Sequence, residues 1–132
     1  MKFMLNQYYA PIEGVEPMSR WTPEEVKAHI DFQRRMNDEL RERGEFVDAQ
    51  GLTGPEQVKI VTCDGVGAPV VTDGPFAESK EFLAGYRIID VESPARAIEI
   101  AAQASAAPAQ GGVPIKQPIE VREVMSPMSL DA

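Results

Sequence analysis

The chain has 132 residues, 43% of them apolar, with 13 basic and 21 acidic side chains and a formal charge of −8. That length supports one core but not two, so a single domain over residues 1–125 with a tail over 126–132 is expected. The acidic balance argues against nucleic acid, which needs a basic face, and against docking on anionic lipid, and leaves room for a small cationic or neutral ligand or a basic protein surface. Cys63 is the only cysteine, which excludes an internal disulfide and argues against a cysteine-based zinc site. The N-terminal stretch turns polar too early for a signal peptide and no apolar run reaches the length of a membrane span, so a cytoplasmic protein is the default.

In chain order, Lys2 to Tyr9 is apolar and aromatic and reads as a strand, and Ala10 to Arg20, with two prolines and a glycine, as a loop. Thr22-Pro23-Glu24-Glu25 is a helix start: Thr22 caps, Pro23 fits the first helical position, and Glu25 completes a capping box. The helix should run to about Arg43, where Gly44 supplies a left-handed stop. Glu45 to Leu52 and Gln57 to Cys63 follow as strands, the second with Cys63 as an inert packed thiol. Asp64 to Gly67 is a turn, and Pro69 to Thr72 a short extension. Phe82 to Val91 is the strongest strand. Ser93-Pro94 opens an alanine-rich helix through about Ala104, Ala106 to Pro114 is a loop, Gln117 to Val124 is the last strand, and a frayed tail begins at Ser126.

The order is β-α-β-β-α-β with an extra short strand after the third, which is the ferredoxin-like α+β pattern of an antiparallel sheet with two helices on one face. The main strands carry apolar residues at both parities: Phe3 and Leu5 against Met4, and Ile89 and Val91 against Ile88 and Tyr86. The face without helices therefore needs cover, and a second subunit's sheet is the simplest, giving a homodimer of dimeric α+β barrel type.

The only histidine, His29, sits in the first helix. With Val26 set at zero and about 100° per residue, His29 falls at about 300°, inside the stripe formed by Ile30, Leu40, Met36 and Phe32. Gln33 and Asn37 complete an i, i+4, i+8 polar row on that side. Buried polar groups need partners or a wet cavity. The row is therefore either the wall of a pocket between helix and sheet, or a core histidine bonded to a backbone carbonyl with two amides at the helix edge.

Residues 70 to 85 read Val-Val-Thr-Asp-Gly-Pro-Phe-Ala-Glu-Ser-Lys-Glu-Phe-Leu-Ala-Gly. Asp73 either bonds its own turn or presents a carboxylate at a strand end. Gly74 is expected at positive φ in that turn, with Pro75 stiffening it. Phe76 is placed in the core, the pocket or a dimer seam, and residues 77–81 in a polar helical turn. Gly85 suggests close backbone approach or a bulge. Tyr86 and Arg87 either reach the pocket or pack at an interface and snorkel. Trp21, with Tyr8 and Tyr9, is a candidate for the pocket mouth, Tyr8 being better suited to the core. No metal site is expected from one histidine without clustered carboxylates, and no phosphate-binding glycine loop is present.

This string resembles the signature of the DGPF proteins, a branch of the YCII-related family. The resemblance covers roughly Lys2 to Val124 and implies a ferredoxin-like α+β fold and a dimer. Many relatives carry threonine where Ser79 stands, which keeps the hydroxyl. They also often carry a histidine in the first helix with an aromatic three residues on, matched here by His29 and Phe32. The family implies a histidine–aspartate acid–base pair, for which Asp73 is the fitting carboxylate. It further implies a partner in an extracytoplasmic-function sigma-factor pathway, since such relatives are often encoded beside those factors. Three readings follow: a cofactor-independent enzyme acting on a small organic ligand, a non-catalytic binding or regulatory protein, and a structural dimer. His29 and Asp73 within hydrogen-bond reach at a cavity wall would favour the first.

Overall fold

The computed structural model describes residues 1–9, 12–74 and 82–127. Eight main elements follow in order: β1 (Lys2–Tyr9), α1 (Pro23–Glu42), β2 (Phe46–Gly51), β3 (Lys59–Thr62), β4 (Val70–Asp73), β5 (Phe82–Asp90), α2 (Pro94–Ser105) and β6 (Ile119–Glu123). Strands β2-β5-β1-β6 form a four-stranded sheet in that order, and its neighbours are antiparallel. The chain is thus a mixed α+β protein with two helices and an antiparallel sheet.

The local signals explain the helices. The Thr22 hydroxyl accepts from the Glu25 N–H at 3.1 Å, and the Glu25 carboxylate accepts from the Thr22 N–H at 2.8 Å. Two otherwise orphaned donors are satisfied reciprocally. Gly44 closes α1 at φ 71°, where a side chain would be strained. Ser93 caps α2 by accepting from the Arg96 N–H.

Pairing fixes which side chains share a face, because opposed residues of antiparallel strands point the same way. Phe3 opposes Ile89 and Leu5 opposes Arg87, so these four face the helices. There Phe3, Leu5 and Ile89 pack with Met36 and Leu40 of α1 and with Ala97, Ile100, Ala101 and Ala104 of α2. A second cluster joins Trp21 to Ala107, Ala109 and Ile115 near the start of α1.

Four expectations need correction. Strands β3 and β4 pair with each other as a two-stranded ribbon, so the third strand of the expected pattern, read at Gln57 to Cys63, stands outside the four-stranded sheet with the short extra strand. Ile30, placed in the apolar stripe, is 41% exposed, because the stripe that meets the sheet centres on Met36 and Leu40. Cys63 lies just past β3 and is exposed rather than packed. Gly74 is not among the glycines at positive φ; a Cβ there would instead stand 2.8 Å from the Val58 Cγ1 methyl and 2.9 Å from Ile60 Cγ1. Close approach, not turn handedness, is the physical reason for that glycine. The expectations for Pro75, Phe76 and residues 77–81, and for the end of the tail, fall outside the described residues.

Candidate functional site

Beyond the apolar core, the space between α1 and the sheet opens into a cavity of about 230 Å³. Small residues make the room. Ala49, Gly51, Ala84, Gly85 and Ala104 line it, where bulkier side chains would close it. Gly85 opposes Gly51 across the β2–β5 pair, and an added Cβ would lie 3.0 Å from the Gln50 carbonyl oxygen. The β1–β5 register shifts here: Gln7 pairs with Gly85 and Tyr8 with Leu83, which leaves Ala84 as an extra residue in β5.

The helix contributes the row of His29, Gln33 and Asn37, and the sheet contributes Gln7 and Arg87. Arg87 is only 5% exposed, since its partners Leu5 and Ala49 hold it on the helix-facing side of the sheet. Its Nε donates to Asn37 Oδ1 at 2.8 Å and its Nη2 to Gln33 Oε1 at 2.8 Å. The Gln33 Nε2 lies 3.5 Å from His29 Nε2, and His29 Nδ1 lies 3.0 Å from the Pro108 carbonyl oxygen.

The direction of this chain of bonds is fixed at both ends. A guanidinium can only donate and a carbonyl can only accept. Gln33 must therefore turn its oxygen to Arg87 and its NH2 to the imidazole. His29 must carry its proton on Nδ1, facing Pro108, and keep the Nε2 lone pair on the side of Gln33. The tautomer follows from donors and acceptors alone.

The Pro108 carbonyl is held in place by its surroundings. Ala107 and Ala109 on either side are each 1% exposed. The Ile115 N–H donates to the Ala107 carbonyl at 2.7 Å and the Ala109 N–H to the Val113 carbonyl at 2.7 Å. The Glu25 carboxylate, already part of the helix cap, also accepts from the Gly111 N–H and ties this loop to the start of α1. Those backbone donors hold the Glu25 carboxyl below its ordinary range, with Gly111 contributing most. Trp21 stands outside the cavity lining: its Nε1 donates to the Glu16 carbonyl at 2.9 Å and its ring meets His29 edge-on, centroids 5.5 Å apart.

Asp73 is placed elsewhere. It ends β4 in the ribbon, 86% of its side chain is exposed, and its carboxylate is paired with Lys59 at 2.5 Å. It does not line the cavity. Each hydrogen-bonding nitrogen of His29 is partnered by other groups. Tyr86 contributes to the cavity wall, but alternation sends its ring to the sheet face away from the helices, where its hydroxyl donates to Asp48 at 3.1 Å. That bond to an acidic acceptor raises the phenol above its ordinary range. Gln7 and Pro108 carried no signal in the sequence; Pro108 meets His29 across 79 residues. Among the described residues no cluster of histidine, cysteine and acidic side chains could hold a metal, and no helix is long and apolar enough to cross a membrane.

Fold and site together define a small mixed α+β protein whose sheet holds a polar, histidine-bearing cavity beneath its first helix. The model of the YCII-related domain matches residues 1–124, and the chain belongs to that family. No curated protein matches it.

Proposed function

We propose that this protein is a cofactor-independent enzyme that moves a proton on a small organic molecule, with His29 as the acid–base group. The observation that carries the reading is the directed chain Arg87, Gln33, His29, Pro108. It leaves Nε2 as the basic atom of a neutral imidazole at a cavity wall. A ligand acid would displace the long Gln33 contact and give its proton to Nε2. The ring would then hold protons on both nitrogens, with the Pro108 carbonyl accepting from Nδ1 and supporting the positive charge. Negative charge left on the ligand would develop in the cavity that Arg87 lines. In this scheme the tautomer-fixing role belongs to Pro108 rather than to Asp73, and the inherited histidine–aspartate pair would require the ribbon of a second copy.

A second reading, ligand binding without turnover, is favoured by one observation: the fitting carboxylate is paired with Lys59 outside the cavity. His29→Leu separates the two from a merely structural histidine. The fold should be kept with a loss of about 1–3 kcal/mol, because the substitution strands the Pro108 carbonyl and the Gln33 amide. Fragments that bind the wild type in ligand-observed NMR should lose affinity for the variant. Fragment binding unchanged by the substitution would contradict a role for His29 in either reading.

We also read the four-stranded sheet as ferredoxin-like and as half of a dimeric α+β barrel. The face away from the helices carries Met4, Ile88 and Tyr86 beside Asn6, whose Oδ1 is buried without a hydrogen-bond donor among the described residues. A second subunit covering that face could supply one. Light scattering should report twice the chain mass; a monomer at micromolar concentration would remove this part of the proposal.

A further inference from the structure

Arg87 is a buried cation with no buried anion to match it among the described residues. Among the described residues it forms no ion pair; its two hydrogen bonds go to the neutral amides of Asn37 and Gln33. A guanidinium carries five N–H groups. Three of them, both on Nη1 and one on Nη2, have no acceptor among the described residues, and the side chain lines the cavity. Isolating a charge from water is costly unless something pairs with it. Burial alone accounts for the lowering of this guanidinium below its ordinary value, with no neighbouring carboxylate acting in the opposite sense. The contrast within the same chain is Arg96, whose Nε and Nη2 each meet a Glu45 oxygen at 2.9 Å. The fold can supply a carboxylate to an arginine, and at Arg87 it supplies amides.

We propose that the cavity takes a small organic acid, whose carboxylate is received by the free N–H groups of Arg87. This deepens the proton-transfer reading of the same site and rests on it for what happens at His29, though not for binding. The charge and geometry select the class. A planar guanidinium offers two parallel N–H bonds to a carboxylate. One fixed positive charge matches a monoanion better than a phosphate dianion. The Asn37 and Gln33 bonds already orient the fork, so little ordering cost remains for the ligand. The volume, about 230 Å³, is below the roughly 300–1,000 Å³ of sites for drug-sized molecules and fits a compact acid. The overall charge of −8 does not oppose this, because the field inside the cavity is set by its own buried cation.

The test is titration of the full chain, followed by amide and arginine side-chain NMR, with acetate, lactate and benzoate against acetamide, lactamide and benzamide. Acids should shift the Arg87 Nε resonance and bind at least tenfold more tightly than their amides. Inorganic phosphate should bind no more tightly than acetate. Arg87→Met should abolish the preference for the acids. Gln33→Glu, which builds a carboxylate beside the guanidinium, should abolish it too while keeping the charge at position 87. His29→Gln should keep it, so that failure of the proton-transfer reading would leave this result standing. Equal binding of acids and amides, tighter binding of phosphate, binding that survives Arg87→Met, or no response to any acid at its highest soluble concentration would each overturn the proposal.

Discussion

The two ends of the layer between helices and sheet are built from opposite materials. At one end Phe3, Ile89, Met36, Leu40 and Ile100 fill the space, and Arg96 at its edge is closed by the Glu45 carboxylate. At the other, Gly51, Ala84, Gly85 and Ala104 leave a cavity, and among the described residues Arg87 meets only amides. Burial alone does not separate the two arginines, since Arg87 is the more buried. What separates them is whether the described residues provide the anion. The first pair is complete and serves the fold: Arg96 holds the Glu45 carboxyl below its ordinary range, and Glu45 in turn raises the Arg96 guanidinium above its own. Among the described residues the second arrangement is incomplete, which marks it as a candidate site.

Substitution at the two arginines sharpens the contrast. Arg96→Met should lower stability by about 2 kcal/mol in a denaturant melt, since it strands the Glu45 carboxylate in a partly buried place. The smaller effect belongs to the more buried residue. Arg87→Met should change stability by no more than about 1 kcal/mol, with the sign toward stabilisation, because it strands only neutral amides beside a cavity that water can enter. The reverse order would break the comparison and make Arg87 a structural residue.

Much of the fold is readable from local signals. The Thr22–Glu25 capping box, Pro23 and Gly44 bound α1, and strand β1 falls on Lys2–Tyr9 as its pattern implies. The polar row of His29, Gln33 and Asn37 is visible because a helix has a fixed period, so three residues four apart must share a side. The row's partners are not visible in the same way. Pro108 reaches His29 only through tertiary packing of the loop after α2, and nothing in a Pro/Gly/Ala stretch announces that one carbonyl will be aimed at an imidazole. For Arg87 the sequence leaves two readings open, a pocket residue or an interface residue that snorkels, and the sheet register that turns it inward opposite Leu5 could not be read locally. The reason for Gly74 was also hidden. Turn chemistry suggested a left-handed backbone, whereas the actual constraint comes from Val58 and Ile60 on the neighbouring segment.

The central claim is that donors and acceptors set by Arg87 and Pro108 leave His29 with its lone pair on Nε2 at the cavity wall. Because His29 is the only histidine in the chain, its imidazole nitrogens give unambiguous signals. Nitrogen-15 NMR of the neutral ring reports the tautomer directly. The account predicts a protonated Nδ1 and an unprotonated Nε2, with the Nε2 resonance moving when lactate is added to the wild type but not to Arg87→Met. A ring protonated on Nε2, or an Nε2 signal indifferent to lactate in the wild type, would contradict it.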